Sequence, residues 1–281
     1  MNSPTRSTII GQSEALRLLD TVAPAHVLFT GPPGCGKTLL AMYYASTVSD
    51  RWGSPINGTA ADDKLEAIQE SPCSIIIDEA HMMKMTEALY PTLDADIERG
   101  VYGERDGALT PYVRTFSFTT TDEGDLPYAL VSRLVHVSLA PYTQDELATI
   151  GKQIGVGLDW DVLMMLAACG RGSPRRTKLL ARLVQQLASK YRLTLHTGHI
   201  PYILRNLGYT EGLTQREISL MLALEKSRRS KSTLCAMMAT GANTVRMVET
   251  ELIHAGLVTI SSRGRALTME GKRVLEKVKG E

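Results

Sequence analysis

The chain has 281 residues, 43% of them hydrophobic and 22% charged, and a formal net charge of +1. This length and composition fit two or three domains with buried cores and exclude an intrinsically disordered chain. No apolar run reaches the roughly 18 residues of a transmembrane helix, and the polar first residues do not form a signal peptide, so we expect a cytoplasmic protein without a membrane partner.

Cysteine spacing and charge distribution add two constraints. The four cysteines have neither paired nor metal-like spacing, which fits reduced thiols. Acidic residues outnumber basic ones up to about residue 143, and basic residues prevail from there onward. Such basic segments fit either phosphate contacts or solvated helix faces, and charge alone leaves both open.

A glycine-rich loop between an apolar strand and a helix is the first motif along the chain. In HVLFTGPPGCGKTLLAMYYAS, residues 31–38 fit G-x-x-x-x-G-K-[ST]. In this pattern backbone N–H groups surround the phosphates, Lys37 reaches the β and γ oxygens, and Thr38 binds Mg²⁺. The helix that follows adds its positive N-terminal end. The motif therefore predicts an ATP and Mg²⁺ site, with nucleotide contacts from Gly31, Pro32, Pro33, Gly34, Cys35, Gly36, Lys37, Thr38 and Leu39.

A second apolar strand, in CSIIIDEA, ends in two acids. Ligands of α/β folds bind at the carboxyl ends of parallel strands, so Asp78 is placed to hold Mg²⁺ beside the nucleotide and Glu79 to activate the attacking water. The alternative is two solvated acids at a strand end. The letters D-E-A-H also name a class of helicases, but the remaining chain is too short for their second motor domain. His81 is either a relay to a partner site or an ordinary helix-cap histidine.

A third strand precedes a short helix and an arginine. VRTFSFTTT is rich in β-branched and aromatic residues and ends in hydroxyls that could sense the γ-phosphate. LVSRL then places Arg133 away from its own phosphate loop, where it could complete a neighbouring subunit's site as an arginine finger. The alternative is a surface ion pair.

This ordered set resembles the AAA+ ATPases, and within them the RuvB family of Holliday-junction branch-migration motors. The segments IIGQSEALRLL, IDEAHMMKMTEALYPTLD, TFSFTTTDEG, LAPYTQDEL and GRGSPRRTKLLARLV carry the resemblance. It implies that Ile9 and Ile10 border the adenine and that Tyr142 contacts the nucleotide. It also implies that Thr120 is the sensor 1 residue and Arg175 the sensor 2 residue.

The rest of the chain predicts a helical lid and a winged helix. We expect an α/β AAA+ P-loop domain over 1–143, a lid over 144–208 that includes a helix capped by Ser173, and a winged helix over 209–281. TGANTVRMVETELIHAGLV fits a helix closed by Gly256. Arg263 and Arg265 flank Gly264 at the expected wing tip, where we expect them to contact DNA phosphate or the minor groove.

Several positions depart from the family pattern. Ile260 stands where the family's wing has an additional arginine, and Val131 stands where another arginine precedes the arginine finger. DIERGVYGERDGALTPY replaces a longer hairpin that docks the partner RuvA, with Gly100, Gly103 and Gly107 marking a compact hairpin. Docking of a RuvA-like adaptor is therefore left open.

The leading hypothesis is an ATP-hydrolysing DNA motor that forms a ring, expected to be hexameric, around duplex or branched DNA. A clamp-loader-like or transposition-type AAA+ ATPase is the first alternative, and DNA-stimulated hydrolysis without junction movement would favour it. A nucleotide-switched regulator that binds DNA through its wing is the second. The presence of both Glu79 and Arg133 argues against a pure switch, which has less use for both residues.

Overall fold

The structure is a computed structural model that describes residues 4–99, 102–105, 108–111, 114–154 and 157–280. The chain forms two compact units, Met1–Pro141 and Tyr142–Glu281. Across the described ranges, no helix is both long enough and apolar enough to cross a membrane.

The first unit is built on a parallel sheet. Its strands are β1 (Val27–Thr30), β2 (Ile56–Asn57), β3 (Ile75–Asp78), β4 (Tyr102–Arg105), β5 (Ala108–Pro111), β6 (Phe116–Thr120) and β7 (Val135–Ser138). Five of them pair in parallel in the order β2-β3-β6-β1-β7. Its α-helices are α1 (Ser13–Val22), α2 (Lys37–Val48), α3 (Gly58–Asp62), α4 (Leu65–Glu70), α5 (Tyr90–Arg99) and α6 (Tyr128–Val131). Short 3₁₀ helices cover Arg6–Thr8, Ala80–Met82, Thr86–Leu89 and Glu123–Asp125.

Burial explains why these segments form strands of a central sheet. Every residue of β1 and β6 is buried, as are the three isoleucines of β3. Continuous apolar strands of this kind need cover on both faces, which helices supply in parallel sheets. The register places Ile77 beside Phe118, so that Asp78 and Thr119 come next at the same edge of the sheet.

The segment before β6 contains an antiparallel hairpin, as the sequence predicts. Strand β4 pairs with β5, from Tyr102 opposite Pro111 to Arg105 opposite Ala108. Gly103 lies in this hairpin as expected, where it pairs with Thr110 inside the ladder. Gly100 and Gly107 lie outside the described residues.

The second unit contains the segments that are expected to form the helical lid and the winged helix. Its helices are α7 (Gln144–Lys152), α8 (Trp160–Gly170), α9 (Pro174–Tyr191), α10 (Ile200–Asn206), α11 (Gln215–Leu224), α12 (Lys231–Met237), α13 (Ala242–His254) and α14 (Met269–Gly280), with a 3₁₀ helix over Thr197–His199. Its strands are β8 (Tyr209–Thr210), β9 (Leu213–Thr214), β10 (Val258–Ser261) and β11 (Gly264–Leu267). Residues 162–204 and 213–275 supply separate apolar cores. The boundary near residue 208 stays a prediction, because both cores belong to one compact unit.

Local capping matches the sequence in this unit. The Ser173 hydroxyl accepts a hydrogen bond from the N–H of Arg176 at the start of α9, with Pro174 in the first turn. Helix α13 ends before Gly256, whose φ of 70° is the left-handed conformation that glycine adopts easily. The expected order of three helices and a hairpin is present as α11, α12, α13 and β10–β11, and α14 follows as a helix that was not predicted from the sequence. The assignment of these elements as a winged helix stays a prediction.

Candidate active site

The phosphate loop joins β1 to α2 with the expected glycine geometry. Gly31, Gly34 and Gly36 have φ values of 143°, 76° and 96°. A Cβ at Gly31 would lie 2.8 Å from the carbonyl oxygen of Leu139, so only glycine fits there. The Lys37 side chain is buried, and its Nζ donates to the carbonyl oxygens of Gly31 and Pro32 at 2.9 Å each. The lysine ammonium therefore lies against the loop that the motif assigns to phosphate.

One thiol lies inside this loop. Cys35 is buried, and burial raises the pKa of its thiol above the ordinary value of 9.0. The thiol is therefore protonated at neutral pH and is a poor nucleophile or metal ligand.

Thr38 and Asp78 meet at the carboxyl edge of the sheet. The Thr38 Oγ1 donates to Asp78 Oδ1 at 2.8 Å, and Thr119 Oγ1 donates to the same oxygen at 2.5 Å. A hydroxyl and a carboxylate are hard oxygen ligands of the kind that Mg²⁺ prefers. The described residues contain no group of three or more His, Cys, Asp or Glu that could hold a metal. The Thr38 hydroxyl and the Asp78 carboxylate fit a Mg²⁺ ion whose other ligands come from phosphate and water.

Glu79 lies just beyond β3 in an unusual backbone conformation. Its φ of 52° is left-handed, which costs free energy for a residue other than glycine. A Cβ at Gly58 would lie 2.5 Å from the Glu79 carbonyl oxygen, so the close approach of Gly58 accommodates this turn. The Glu79 N–H donates to Thr119 Oγ1 at 3.3 Å, and Thr121 Oγ1 donates to Glu79 Oε2 at 3.3 Å. The backbone of Glu79 is therefore held by Thr119 and its carboxylate by Thr121, at and just after the end of β6.

The three threonines at this end of β6 point in different directions. Thr119 contacts Asp78 and Thr121 contacts the Glu79 carboxylate, whereas Thr120 Oγ1 lies 2.9 Å from His81 Nδ1 and donates to the carbonyl oxygen of Asp122. The sensor 1 role of Thr120 stays a prediction. Thr119 and Thr121 are, with Thr120, the hydroxyls that the sequence predicts to sense the γ-phosphate or the water, and the structure brings them to Asp78 and Glu79.

His81 belongs to the same edge. It lies in the 3₁₀ helix over Ala80–Met82, and its Nδ1 is 3.5 Å from Glu79 Oε2. It is therefore placed between the water-activating candidate and Thr120, which favours the relay interpretation over that of a simple helix cap.

The N-terminal segment with Ile9 and Ile10, which the family resemblance predicts to border the adenine, is held by contacts within the first unit. Ile9 is buried and Ile10 half-buried. Gln12, with φ of 56°, donates through Nε2 to the carbonyl oxygen of Ala140 at 2.7 Å and accepts from the Ala140 N–H at 3.1 Å. This pair of bonds ties the isoleucine segment to the end of the first unit.

Arg133 follows α6 and is paired within its own chain. Its Nε and Nη2 donate to the two carboxylate oxygens of Asp94 at 2.7 and 2.9 Å. Its side chain is 28% exposed, and its guanidinium carbon lies 4.7 Å from the centre of the Tyr90 ring. The ion pair named as the alternative is therefore present, but it leaves part of the guanidinium accessible.

Comparison with known proteins relates this geometry to a family. Residues 27–142 match the family model described as "ATPase family associated with various cellular activities (AAA)". The Holliday junction branch migration complex subunit RuvB of Thermobifida fusca is 30% identical over 274 residues, which cover 88% of this chain and 76% of that protein. The chain belongs to the RuvB family.

Further comparisons agree with this assignment. The RuvB subunit of Aliarcobacter butzleri is 28% identical over 87% of this chain and 77% of its own length. The Thermotoga maritima structure titled as the RuvB Holliday junction branch migration motor superposes with a TM-score of 0.80 at 24% identity, covering 98% of both chains. The AAA+ nucleotide-binding fold predicted from the sequence is thus confirmed.

Two nucleotide contacts predicted for this RuvB-family chain lie in the second unit. Tyr142 is buried at the start of that unit, and Arg175 is exposed in the first turn of α9. Their roles towards the nucleotide stay predictions.

The wing of this RuvB-family chain presents its two arginines differently. Arg263 is exposed in the turn between β10 and β11. Arg265 lies inside β11, so its placement at the wing tip is wrong. Its Nε donates to Glu249 Oε1 at 2.5 Å, and Glu249 is buried on α13. Because a strand side chain that pairs with a buried acid points toward the core, only Arg263 of the two is free to extend beyond the wing.

A further arginine near the wing was not found from the sequence. Arg228 Nη1 donates to the Ser261 hydroxyl at 2.8 Å and is exposed. Arg229 next to it exchanges two backbone hydrogen bonds with Arg265, at 3.0 and 2.9 Å. The stretch over 227–230 thus lies along β11 and adds cationic surface to the hairpin, and the basic run KSRRSK is the sequence signal that could have indicated it.

Proposed function

We propose that this chain is an ATP-driven DNA motor that moves duplex DNA and drives branch migration of Holliday junctions. The observation that carries the proposal is the meeting of Thr38, Asp78 and Glu79 at one sheet edge in a chain of the RuvB family. The curated relatives are named as branch migration subunits, and this chain spans about three quarters of their length.

The phosphate loop and its neighbours would hold the nucleotide. Backbone N–H groups of the non-proline residues of the loop and the Lys37 ammonium would bind phosphate oxygens, and Thr38 with Asp78 would hold Mg²⁺. When bound, ATP supplies the phosphoryl group and Mg²⁺ neutralises its charge. We further propose that Ile9 and Ile10 border the adenine, and that Tyr142 and Arg175 contact the nucleotide.

Glu79 would orient and deprotonate the attacking water. The Glu79 side chain is 37% exposed, so water can reach its carboxylate, and the Thr121 hydroxyl donates to one of the carboxylate oxygens. General-base catalysis needs such a carboxylate within hydrogen-bond reach of the water. Thr120 is proposed as sensor 1, and His81 would report its state to Glu79.

Arg133 would act on the site of the neighbouring subunit. Such a finger neutralises charge that develops on the transferred phosphoryl group, and hydrolysis then requires assembly. We propose a homo-oligomeric ring, hexameric in size, with DNA held by the winged helix through Arg263.

Hydrolysis by variants and their mixtures tests the proposal. We expect Glu79→Gln and Arg133→Ala each to abolish ATP turnover in the presence of four-way junction DNA. Mixing the two should restore part of it, because some interfaces pair an intact Glu79 with an intact Arg133. Full activity of Arg133→Ala alone would contradict shared sites, and DNA-stimulated hydrolysis that never separates junction arms would favour a loader.

A further inference from the structure

Helix α5 presents a tyrosine and an aspartate to Arg133. Tyr90 and Asp94 are four residues apart, so they lie one turn apart on the same face of the helix. Asp94 accepts from Nε and Nη2, and the Tyr90 ring faces the guanidinium with its centroid 4.7 Å from the central carbon. The Nη1 of Arg133 donates to the carbonyl oxygen of Ala129 at 2.6 Å. Carboxylate, ring and carbonyl thus hold the guanidinium from three directions.

A count of donors shows what remains for a ligand. A guanidinium carries five N–H donors. Asp94 takes two of them along one edge, and Ala129 takes a third. The two that remain belong to Nη1 and Nη2, which can bind a phosphate oxygen pair together. The in-chain contacts therefore fix the plane of Arg133 without using all of its donors.

The carboxylate stays charged in this arrangement. The hydrogen bond from Arg133 is the main cause that lowers the pKa of Asp94 below its ordinary value. Both groups are on the surface, so a simple ion pair here would contribute little to stability. A bidentate contact combined with a ring contact instead limits the directions that a long side chain can adopt.

We propose that Asp94 and Tyr90 form a cradle that positions Arg133 for the γ-phosphate bound by the neighbouring subunit. The proposal rests on the function proposed above, in which Arg133 completes a shared site. Asp94 is then a positioning residue: it touches no substrate and acts through the direction of one guanidinium.

Steady-state ATP hydrolysis by the full chain with four-way junction DNA tests the cradle. Asp94→Ala is expected to lower kcat between about tenfold and about a hundredfold, the loss typical of a misplaced catalytic group, with KM for ATP unchanged. Asp94→Glu, which keeps the carboxylate, should recover part of that loss. The double variant with Arg133→Ala should be no slower than Arg133→Ala alone, because both act on one interaction.

Subunit mixing separates positioning from a general structural effect. Asp94→Ala mixed with Glu79→Gln should regain activity, because the second protein brings an intact cradle and finger to the intact Glu79 of the first. Asp94→Ala mixed with Arg133→Ala should not. Glu270→Ala, which removes the partner of the exposed Arg273, is the matched control and should leave kcat unchanged.

The outcomes distinguish this inference from the proposed function. If Arg133→Ala is inactive and Asp94→Ala turns over like the wild type, the cradle is wrong and the finger stands. Faster turnover by Asp94→Ala would show that Asp94 restrains Arg133, which also overturns the cradle. If Arg133→Ala retains full activity, the proposed shared site itself fails.

Discussion

Arg265 of the wing forms an ion pair with Glu249 of α13, in which Nε lies 2.5 Å from Oε1. The Glu249 side chain is 4% exposed, so its charge depends on this partner. Removing one partner of a buried pair leaves an uncompensated charge and costs about 3 to 5 kcal/mol. The contact therefore gives Arg265 a structural role that Arg263 does not share.

Arginine substitutions in the wing should separate stability from DNA binding. Arg265→Ala should lower the free energy of unfolding of the second unit by about 3 kcal/mol. Arg263→Ala should leave stability unchanged and reduce the slope of log affinity against log salt by about one for duplex DNA. Urea unfolding in a Trp52→Phe background, where Trp160 reports the second unit, measures the first effect. Equal loss of stability in both variants would contradict the assignment.

Contiguous motifs explain why much of the nucleotide site could be predicted. Residues 31–38 and 75–79 determine their geometry within short stretches. The loop after β1 places Lys37, and the end of β3 places Asp78. The family resemblance extended this to the lid and wing. Contacts between distant segments could not be predicted, because they depend on tertiary packing. The pairs of Arg133 with Asp94 and of Arg265 with Glu249 are of this kind.

The threonines of β6 show a second limit of the sequence. Neighbouring side chains of a strand point to opposite faces, and a shift of one residue exchanges the faces. Which of Thr119, Thr120 and Thr121 meets the acids thus depends on the pairing of Ile77 with Phe118, a register that no local pattern reveals.

The hydroxyl at position 121 should matter for turnover. Thr121→Val removes the hydrogen bond to Glu79 Oε2, and a bond to a charged group contributes about 1.5 to 3 kcal/mol. We expect kcat for ATP to fall about tenfold or more, with little change in nucleotide affinity. Thr120→Val is the comparison, because its hydroxyl meets His81 and Asp122 instead. An unchanged kcat in Thr121→Val would show that this hydroxyl does not orient Glu79.

His26 should make the first unit sensitive to acid. It is buried and accepts from the Phe116 N–H at 3.0 Å, and desolvation lowers its pKa below 6.5. The unfolded chain therefore binds a proton before the folded one does, so stability is complete above about pH 6.5 and declines below it, by up to about 1.4 kcal/mol per pH unit.

This decline is measured by chemical unfolding at several pH values between about 7.5 and 5, a range that spans the ordinary histidine pKa of about 6.5. His26→Asn, which keeps an acceptor for the Phe116 N–H, should show a shallower dependence. An identical slope in wild type and variant would show that His26 does not contribute.

Asp96, before the β4–β5 hairpin, and Arg114, after it, form a buried ion pair that should stabilise the first unit. Their side chains are 4% and 6% exposed, and Arg114 Nε and Nη2 donate to the Asp96 carboxylate at 2.8 and 2.9 Å. Asp96→Asn should lower the free energy of unfolding by about 3 kcal/mol or more. Trp52 fluorescence in a Trp160→Phe background reports this unit.

Replacing both partners of this pair tests its wider role. Arg114 Nη1 also donates to the carbonyl oxygens of Gln69 and Ser71, at 2.7 and 2.9 Å. Asp96→Leu with Arg114→Met should therefore remain destabilised, because two carbonyls on half-buried residues lose their donor. Recovery of wild-type stability in the double variant would show that those carbonyl contacts contribute nothing.

Displacement of junction arms tests the central proposal most directly. The full chain would be incubated with a four-way DNA junction and either ATP or ADP, alongside Glu79→Gln, and the separated duplexes would be counted over time. We expect arms to separate with ATP and wild-type chain alone, at a rate that follows hydrolysis. Intact junctions in the presence of vigorous, DNA-stimulated ATP turnover would contradict a motor that drives branch migration.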